Sequence, residues 1–330
     1  MGQTVIDKYG HTKVPFLPKV LSIAKALPLQ LHPNKELAAK LHEKDPSNFT
    51  DPNHKPEIAL ALGKFEAFCG FKPLEDIERL MKIDGLGQFV PKGASSFDNN
   101  ALREVVRSML KAEESTVEEV VNKLEKVSES ELGQDKYIKG LIPRIADQYG
   151  KTDNGILVAL ITMNFLVCEA GECISIPADG IHAYLSGDII ECMARSNNVL
   201  NTGFCPRGER NSADLFCSCL TFKPHSPEEC KLAPQKYHGS KQGKTLLFNP
   251  PMNEFNILAT SLNAGEKEII APIDGPALFV ATKGYATMKV KGRSHEVKEG
   301  TTWFITPGNE IEFETKDGLL LHTAYADAST

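Results

Sequence analysis

The last third of the chain, "ALFVATKGYATMKVKGRSHEVKEGTTWFITPGNEIEFETKDGLLLHTAYA", places short apolar runs at close, regular intervals with glycine at nearly every corner. Such spacing points to antiparallel strands that close into a jelly roll or barrel. The preceding stretch "ILVALITMNFLVCEAGECISIPADGIHAYLSGDIIECMA" follows the same rule, with "EAG" and "ADG" as turn-like breaks. Between 72 and 150 the periodicity changes. "STVEEVVNKLEKVSE" opens on a capping-box pattern, Ser115 to Glu118, and sets Val117, Val120, Val121, Leu124 and Val127 on one stripe. "ALREVVRSMLKAEE" repeats that pattern. The first seventy residues carry strand signals, "FLPKVLSIA" and "EIALALGKFEAFCGF", around one short helix, "NKELAAKLHEK", with Asn34 as its N-cap. The expected organisation is mainly β with a helical insertion. A first β-unit is split between 1–71 and 151–238, a helical unit occupies 72–150, and a second β-unit occupies 239–330. The Pro- and Lys-containing stretch 223–244 is the candidate linker.

At 330 residues the chain exceeds the size at which one hydrophobic core keeps growing, which agrees with several packed units. A hydrophobic share of 41% and a net charge of −6 describe an ordinary soluble protein and give no reason to expect nucleic acid or an anionic membrane as partner. "MGQTVIDKYGHTKVP" has no signal-peptide core, Ile6 stands where a myristoylation signal needs Ser or Thr, and no run is long enough to span a bilayer. The expected location is the cytosol. Eight cysteines at irregular intervals read as reduced thiols. "CSC" at 217 to 219 lacks a second pair to complete a zinc site, so Cys217 and Cys219 read as strand residues.

Three segments bear chemistry. In "LPLQLHPNK", an extended chain projects Gln30 and His32 to one side and Leu29 and Leu31 to the other. In "DPNHKPE", His54, Lys55 and Glu57 crowd around Pro56; His54 is an odd number of residues from Glu57 and points elsewhere in an extended segment. In "PADGIHAYLSGDIIE", His182 and Tyr184 share a face, with Glu191 further on. Gln, His, Glu and His form a nitrogen and oxygen donor set suited to zinc or another divalent cation in an open site. Spacing alone leaves a half-buried polar face as the alternative.

The blocks "KVLSIAKALPLQLHPNKELAAKLH", "DPNHKPEIALAL", "CGF" and "HAYLSGDIIECMARSNNV" resemble the type I phosphomannose isomerases, and the similarity covers nearly the whole chain. The resemblance implies a cupin-type jelly-roll catalytic domain with a helical insertion, a second β-domain, and one zinc ion held by Gln30, His32, Glu57 and His182. It also implies interconversion of mannose 6-phosphate and fructose 6-phosphate through an enediol, in a cytoplasmic monomer whose partner is a phosphorylated hexose. Glu191 and Lys55 match positions for acid–base work, Tyr184 for substrate contact, and Arg207 stands where the family usually has a phosphate-binding Lys. Several positions depart from the pattern. "SNNVLNTG" replaces the family signature, so that Asn197 stands for an acid and Asn201 for an arginine; Pro28 replaces a Ser, and only "MGQTVIDKYGHTK" precedes the matching region, an N-terminally short member. Three readings follow: a working zinc-dependent isomerase that tolerates these changes, an isomerase-like paralogue with altered substrate or slow turnover, or a non-catalytic metal-containing sugar-phosphate binding or structural protein.

Overall fold

The computed structural model describes residues 3, 6, 7, 12–93 and 96–327; most of the first eleven residues of the expected 1–71 segment, including Gly2, lie outside the described residues, while Ile6 lies within them. Eight strands form a first curled sheet: β1 (Phe16–Ile23), β2 (Leu29–Leu31), β3 (Glu57–Ala61), β4 (Phe65–Phe71), β5 (Met163–Cys168), β6 (Cys173–Ile176), β7 (His182–Ala194) and β8 (Leu200–Gly203). The 13-residue β7 is its hub. Its first half pairs with β4 and, at His182, with β2, whereas its second half pairs with β1 and β3. The change of partners occurs at Gly187, whose φ of 112° and whose approach to the Lys64 carbonyl, 2.4 Å from where a Cβ would stand, admit only glycine. One strand therefore carries His182, Tyr184 and Glu191 into the same curled interior.

The helical insertion forms where apolar spacing is near 3.6 residues. The helix Asn99–Lys111 starts at Asp98, whose carboxylate accepts from Asn100 and Ala101 N–H, and buries Ala101, Leu102, Val105, Val106 and Met109. Asn34 caps Lys35–Lys44 as expected, accepting from Leu37 N–H at 3.0 Å. The Ser115 capping box does not form. That helix runs Glu114–Leu124 from an extended Glu113, which leaves Ser115 inside its first turn, where the acidic Glu114 suits the positive helix end. Reciprocal capping is made instead by Ser128 with Glu131 and by Ser226 with Glu229. The apolar run after Asp153 also differs. Residues 154–162 are one buried helical turn followed by a π-turn, and the strand starts only at Met163, because an apolar run buried on all sides carries no period. Cys217 and Cys219 lie in the helix Ala213–Cys219, started by Ser212, whose hydroxyl accepts from Leu215 N–H. Their spacing of two matched a strand, but the cap and the buried Phe216 decide the local form.

Nine strands between Gln235 and Tyr325 make a second sheet around the 14-residue strand Ala277–Val290. It packs on the first sheet through Phe16, Ile58, Leu60, Ile190 and Cys192 against Phe248, Phe255, Ile257 and Ala324. Each fully buried large side chain in that seam contributes about 1.5–3 kcal/mol. The stretch 223–244 is laced to both sheets: His225 N–H donates to Phe71 O at 3.0 Å and Leu232 N–H to Cys173 O at 2.8 Å in the first, while Gln235–Lys236 is a strand of the second and Lys241 N–H donates to Ile269 O at 3.0 Å. Among the described residues no helix is long and apolar enough to cross a membrane.

Candidate metal and active site

The register of the first sheet assembles one polar cluster. Leu29 and Leu31 bury into the helical core, so the opposite side of β2 carries Gln30, which is paired in register with His182 on β7 and with Asn201 on β8. Glu57 opens β3 beside β7. His32, Glu57 and His182 are almost fully enclosed, at 1%, 1% and 0% exposure. Their donor atoms lie within 4.8 Å of one another. One Glu57 oxygen, Oε1, is 3.0 Å from His32 Nε2 and 2.8 Å from His182 Nε2. The Gln30 amide reaches His182 Nε2 at 3.2 Å, and exchanging its two similar ends turns the amide oxygen toward the cluster.

The outer nitrogens fix how these imidazoles present themselves. His32 Nδ1 lies 2.7 Å from Asn198 O and His182 Nδ1 lies 3.0 Å from Gly180 O, so each Nδ1 must carry a proton to donate. Burial, the largest influence, lowers the His32 pKa despite the adjacent Glu57, which favours the neutral ring. A neutral ring protonated at Nδ1 turns a lone pair at Nε2 toward a buried carboxylate oxygen. Lone pair against lone pair is repulsive, and a cation between them removes the conflict. The donor set and its tautomers thus fit a divalent metal held by Gln30, His32, Glu57 and His182.

The "SNN" stretch supplies this tautomer control, a role its sequence does not announce. Ser196 Oγ donates to Asn53 O at 2.8 Å, and Asn198 Nδ2 donates to Asp51 O and Asn53 O at 2.6 and 2.9 Å. The loop that holds His32 is thereby tied to the turn that carries Lys55 and Glu57.

Glu191 lies beside this cluster, directly opposite Lys19 on β1 and Ala59 on β3. Lys19 Nζ is 3.1 Å from Glu191 Oε2, close enough for an ion pair but off the direction of a hydrogen bond, so that oxygen has no hydrogen-bond partner. Burial first and the Glu57 charge second push the Glu191 carboxyl up to about 7, with Lys19 opposing. Burial lowers the Lys55 pKa, opposed by Glu57; Lys19 and Glu191 are its other charged neighbours. Tyr184 is buried with its ring edge on Phe65, and its hydroxyl has no hydrogen-bond partner. Lys19 was not singled out from the sequence, although its spacing of eleven from Gln30 along two strands would need only the pairing of β1 with β7 to reveal it.

The other expected residues are placed differently. Arg207 is more than half exposed and paired with Glu114 at 2.6 Å. His54 pairs with Glu254, away from the donor set. Asn201 has its backbone locked to Asn211, and its buried side-chain oxygen has no partner.

Residues 1–74 match the type I phosphomannose isomerase catalytic domain, and residues 245–293 match the type I C-terminal region. The mannose-6-phosphate isomerase of Ogataea parapolymorpha is 35% identical over 99% of this chain and 81% of its own length. That of Saccharomyces cerevisiae is 34% identical over 96% of this chain and 79% of its own. The chain belongs to the type I phosphomannose isomerase family. A zinc-bound mannose 6-phosphate isomerase crystal structure superposes with a TM-score of 0.83 at 25% identity, covering 99% of this chain and 82% of that one. The metal-free form from Salmonella typhimurium gives the same TM-score at 25% identity, with the same shares of 99% and 82% covered. The fold is therefore the expected cupin type, mainly β with inserted helices.

Proposed function

We infer that this chain is a zinc-dependent isomerase that interconverts mannose 6-phosphate and fructose 6-phosphate. The observation that carries the reading is the buried His32, Glu57 and His182 set with half-buried Gln30 beside it, closed on itself by a carboxylate oxygen between two imidazole nitrogens, in a chain of this family. Aldose–ketose conversion moves a proton between C1 and C2 of the open-chain sugar through an enediol, while the adjoining oxygens exchange another. Zinc in this site would supply Lewis-acid polarisation of those oxygens.

The chain's own residues do the rest. Glu191, with a carboxyl raised to about 7, both accepts and returns a proton near neutral pH, and we assign it the carbon-bound one. Lys55, part-buried beside it, exchanges the oxygen-bound proton. Lys19 holds the Glu191 carboxylate toward the cluster, and the Tyr184 hydroxyl, without a protein partner, is free to meet the sugar. Arg207 is the phosphate contact, which requires it to leave Glu114. Asn201, a neutral amide beside Gln30, makes turnover slow relative to a residue carrying a fixed positive charge. Every named group comes from one chain, which suits a monomer, and eight free thiols suit the cytoplasm.

The test is a coupled assay with mannose 6-phosphate and unphosphorylated mannose. Isomerisation of the phosphate alone supports the reading. Equal rates on both would refute the phosphate assignment, and no turnover by zinc-loaded protein would favour the non-catalytic reading.

A further inference from the structure

Beside the metal site, where Cys69 on β4 is paired in register with His182, a second group of chemically active side chains lies on a cavity of about 710 Å³ that Cys69, His225 and Cys230 line together. Cys230 closes the turn Pro227–Cys230, and its sulfur lies 3.7 Å from His225 Nδ1 and 3.3 Å from the carbonyl oxygen of Cys69. The residue is fixed from several sides. The His225 backbone N–H donates to Phe71 O, its backbone carbonyl accepts from Asn164 Nδ2 at 3.0 Å, its ring Nδ1 lies 3.0 Å from Ser226 O, and its ring lies over Gly70, where a Cβ would stand 2.2 Å from Nε2. Gly70 has a φ of 62°. A ring fixed beside a sulfur, with a second thiol adjacent and open volume in front, is more than packing requires.

We propose that Cys230 is a peroxide-reactive thiol, activated by His225 and opening on this cavity, whose oxidised form Cys69 captures as a disulfide. As a neutral thiol Cys230 donates to the Cys69 carbonyl; as a thiolate it faces His225 Nδ1, which the Ser226 carbonyl oxygen also meets at 3.0 Å and so keeps protonated. The Cys69 hydrogen bond first, then His225, bring the Cys230 pKa down to about 6 against burial. The titratable groups around it are Cys69 and Cys168 from the sheet and His225 and Glu229 from its own turn. In the first step the thiolate attacks one peroxide oxygen, the O–O bond breaks, and hydroxide leaves and takes a proton to become water. In the second, the Cys69 sulfur attacks the sulfenic acid, the S–O bond breaks, the S–S bond forms, and a second water leaves. Two thiols lose two electrons, and hydrogen peroxide is reduced to two waters.

The test uses the full, zinc-loaded, reduced chain treated with hydrogen peroxide and read by peptide mass spectrometry. A Cys69–Cys230 cross-link as the first product is expected, and in Cys69→Ser a sulfenic acid on Cys230 trapped by dimedone. Alkylation of Cys230 by iodoacetamide should slow only about twofold from pH 8 to pH 6, whereas an unassisted thiol slows by nearly two orders of magnitude. His225→Asn should make the parent profile steeper. First oxidation at another cysteine, or a steep profile in the parent chain, overturns the proposal. Those two measurements on the parent chain suffice even if a variant fails to fold, and neither depends on isomerase activity.

Discussion

Replacing Glu191 by Gln removes the carboxylate that the fold holds least comfortably in its ionised form. Its carboxyl is raised from an ordinary 4.5 to about 7 by burial and by the Glu57 charge. Because the folded pKa lies above the unfolded one, the folded chain binds more protons between those values. Stability is therefore fully present below about 4.5 and is lost as pH rises toward 7. A shift of about 2.5 units corresponds to roughly 3.4 kcal/mol at most, and because Glu57 and Lys19 share the field, about 2 kcal/mol is expected. Gln has nearly the same shape and no charge. In chelated protein Glu191→Gln should therefore raise the thermal midpoint at pH 8 by about 3 °C and change it little at pH 4.5, and the zinc-loaded variant should lose isomerisation. The assay is a thermal melt of parent and variant at both pH values. A variant no more stable than its parent at pH 8, or equally stabilised at both, would refute the assignment of Glu191 as a strained, functional carboxylate.

Other changes carry equally definite outcomes. Lys19→Met should lower kcat and move the acidic limb of the pH–rate profile upward, since the ammonium 3.1 Å away opposes the rise of the Glu191 carboxyl; a limb that stays in place contradicts the pairing. Asn201→Arg should raise turnover by about 10- to 100-fold without altering zinc content, measured by coupled assay beside elemental analysis. Gly187→Ala should destabilise the chain by about 2–4 kcal/mol in urea, because a Cβ there would stand 2.4 Å from the Lys64 carbonyl oxygen.

Much of this arrangement was legible in the sequence because strand alternation is strict. Gln30 and His32 announce a polar side of β2 as soon as Leu29 and Leu31 are read as its buried side. The helical insertion was legible from stripes such as Leu102, Val105, Val106 and Met109. What escaped reading depended on long-range register or on burial from every side. Lys19 meets Glu191 only because β1 lies beside the second half of β7, a pairing across more than 160 residues. Asn198 controls the His32 tautomer through its backbone oxygen, which no side-chain pattern encodes. The run 156–161 is apolar throughout and so was silent about its helical form, while Cys217 and Cys219 mimicked strand alternation inside a capped helix.

The most direct measurement is the rate of mannose 6-phosphate isomerisation by the chain after chelation and then after addition of one equivalent of zinc, with His182→Ala alongside. The donor set predicts loss of both metal and activity on chelation, recovery of both in the parent chain at one zinc per chain, and neither in His182→Ala. Undiminished turnover by metal-free protein, or a His182→Ala chain that still binds one zinc and regains activity, would contradict the account.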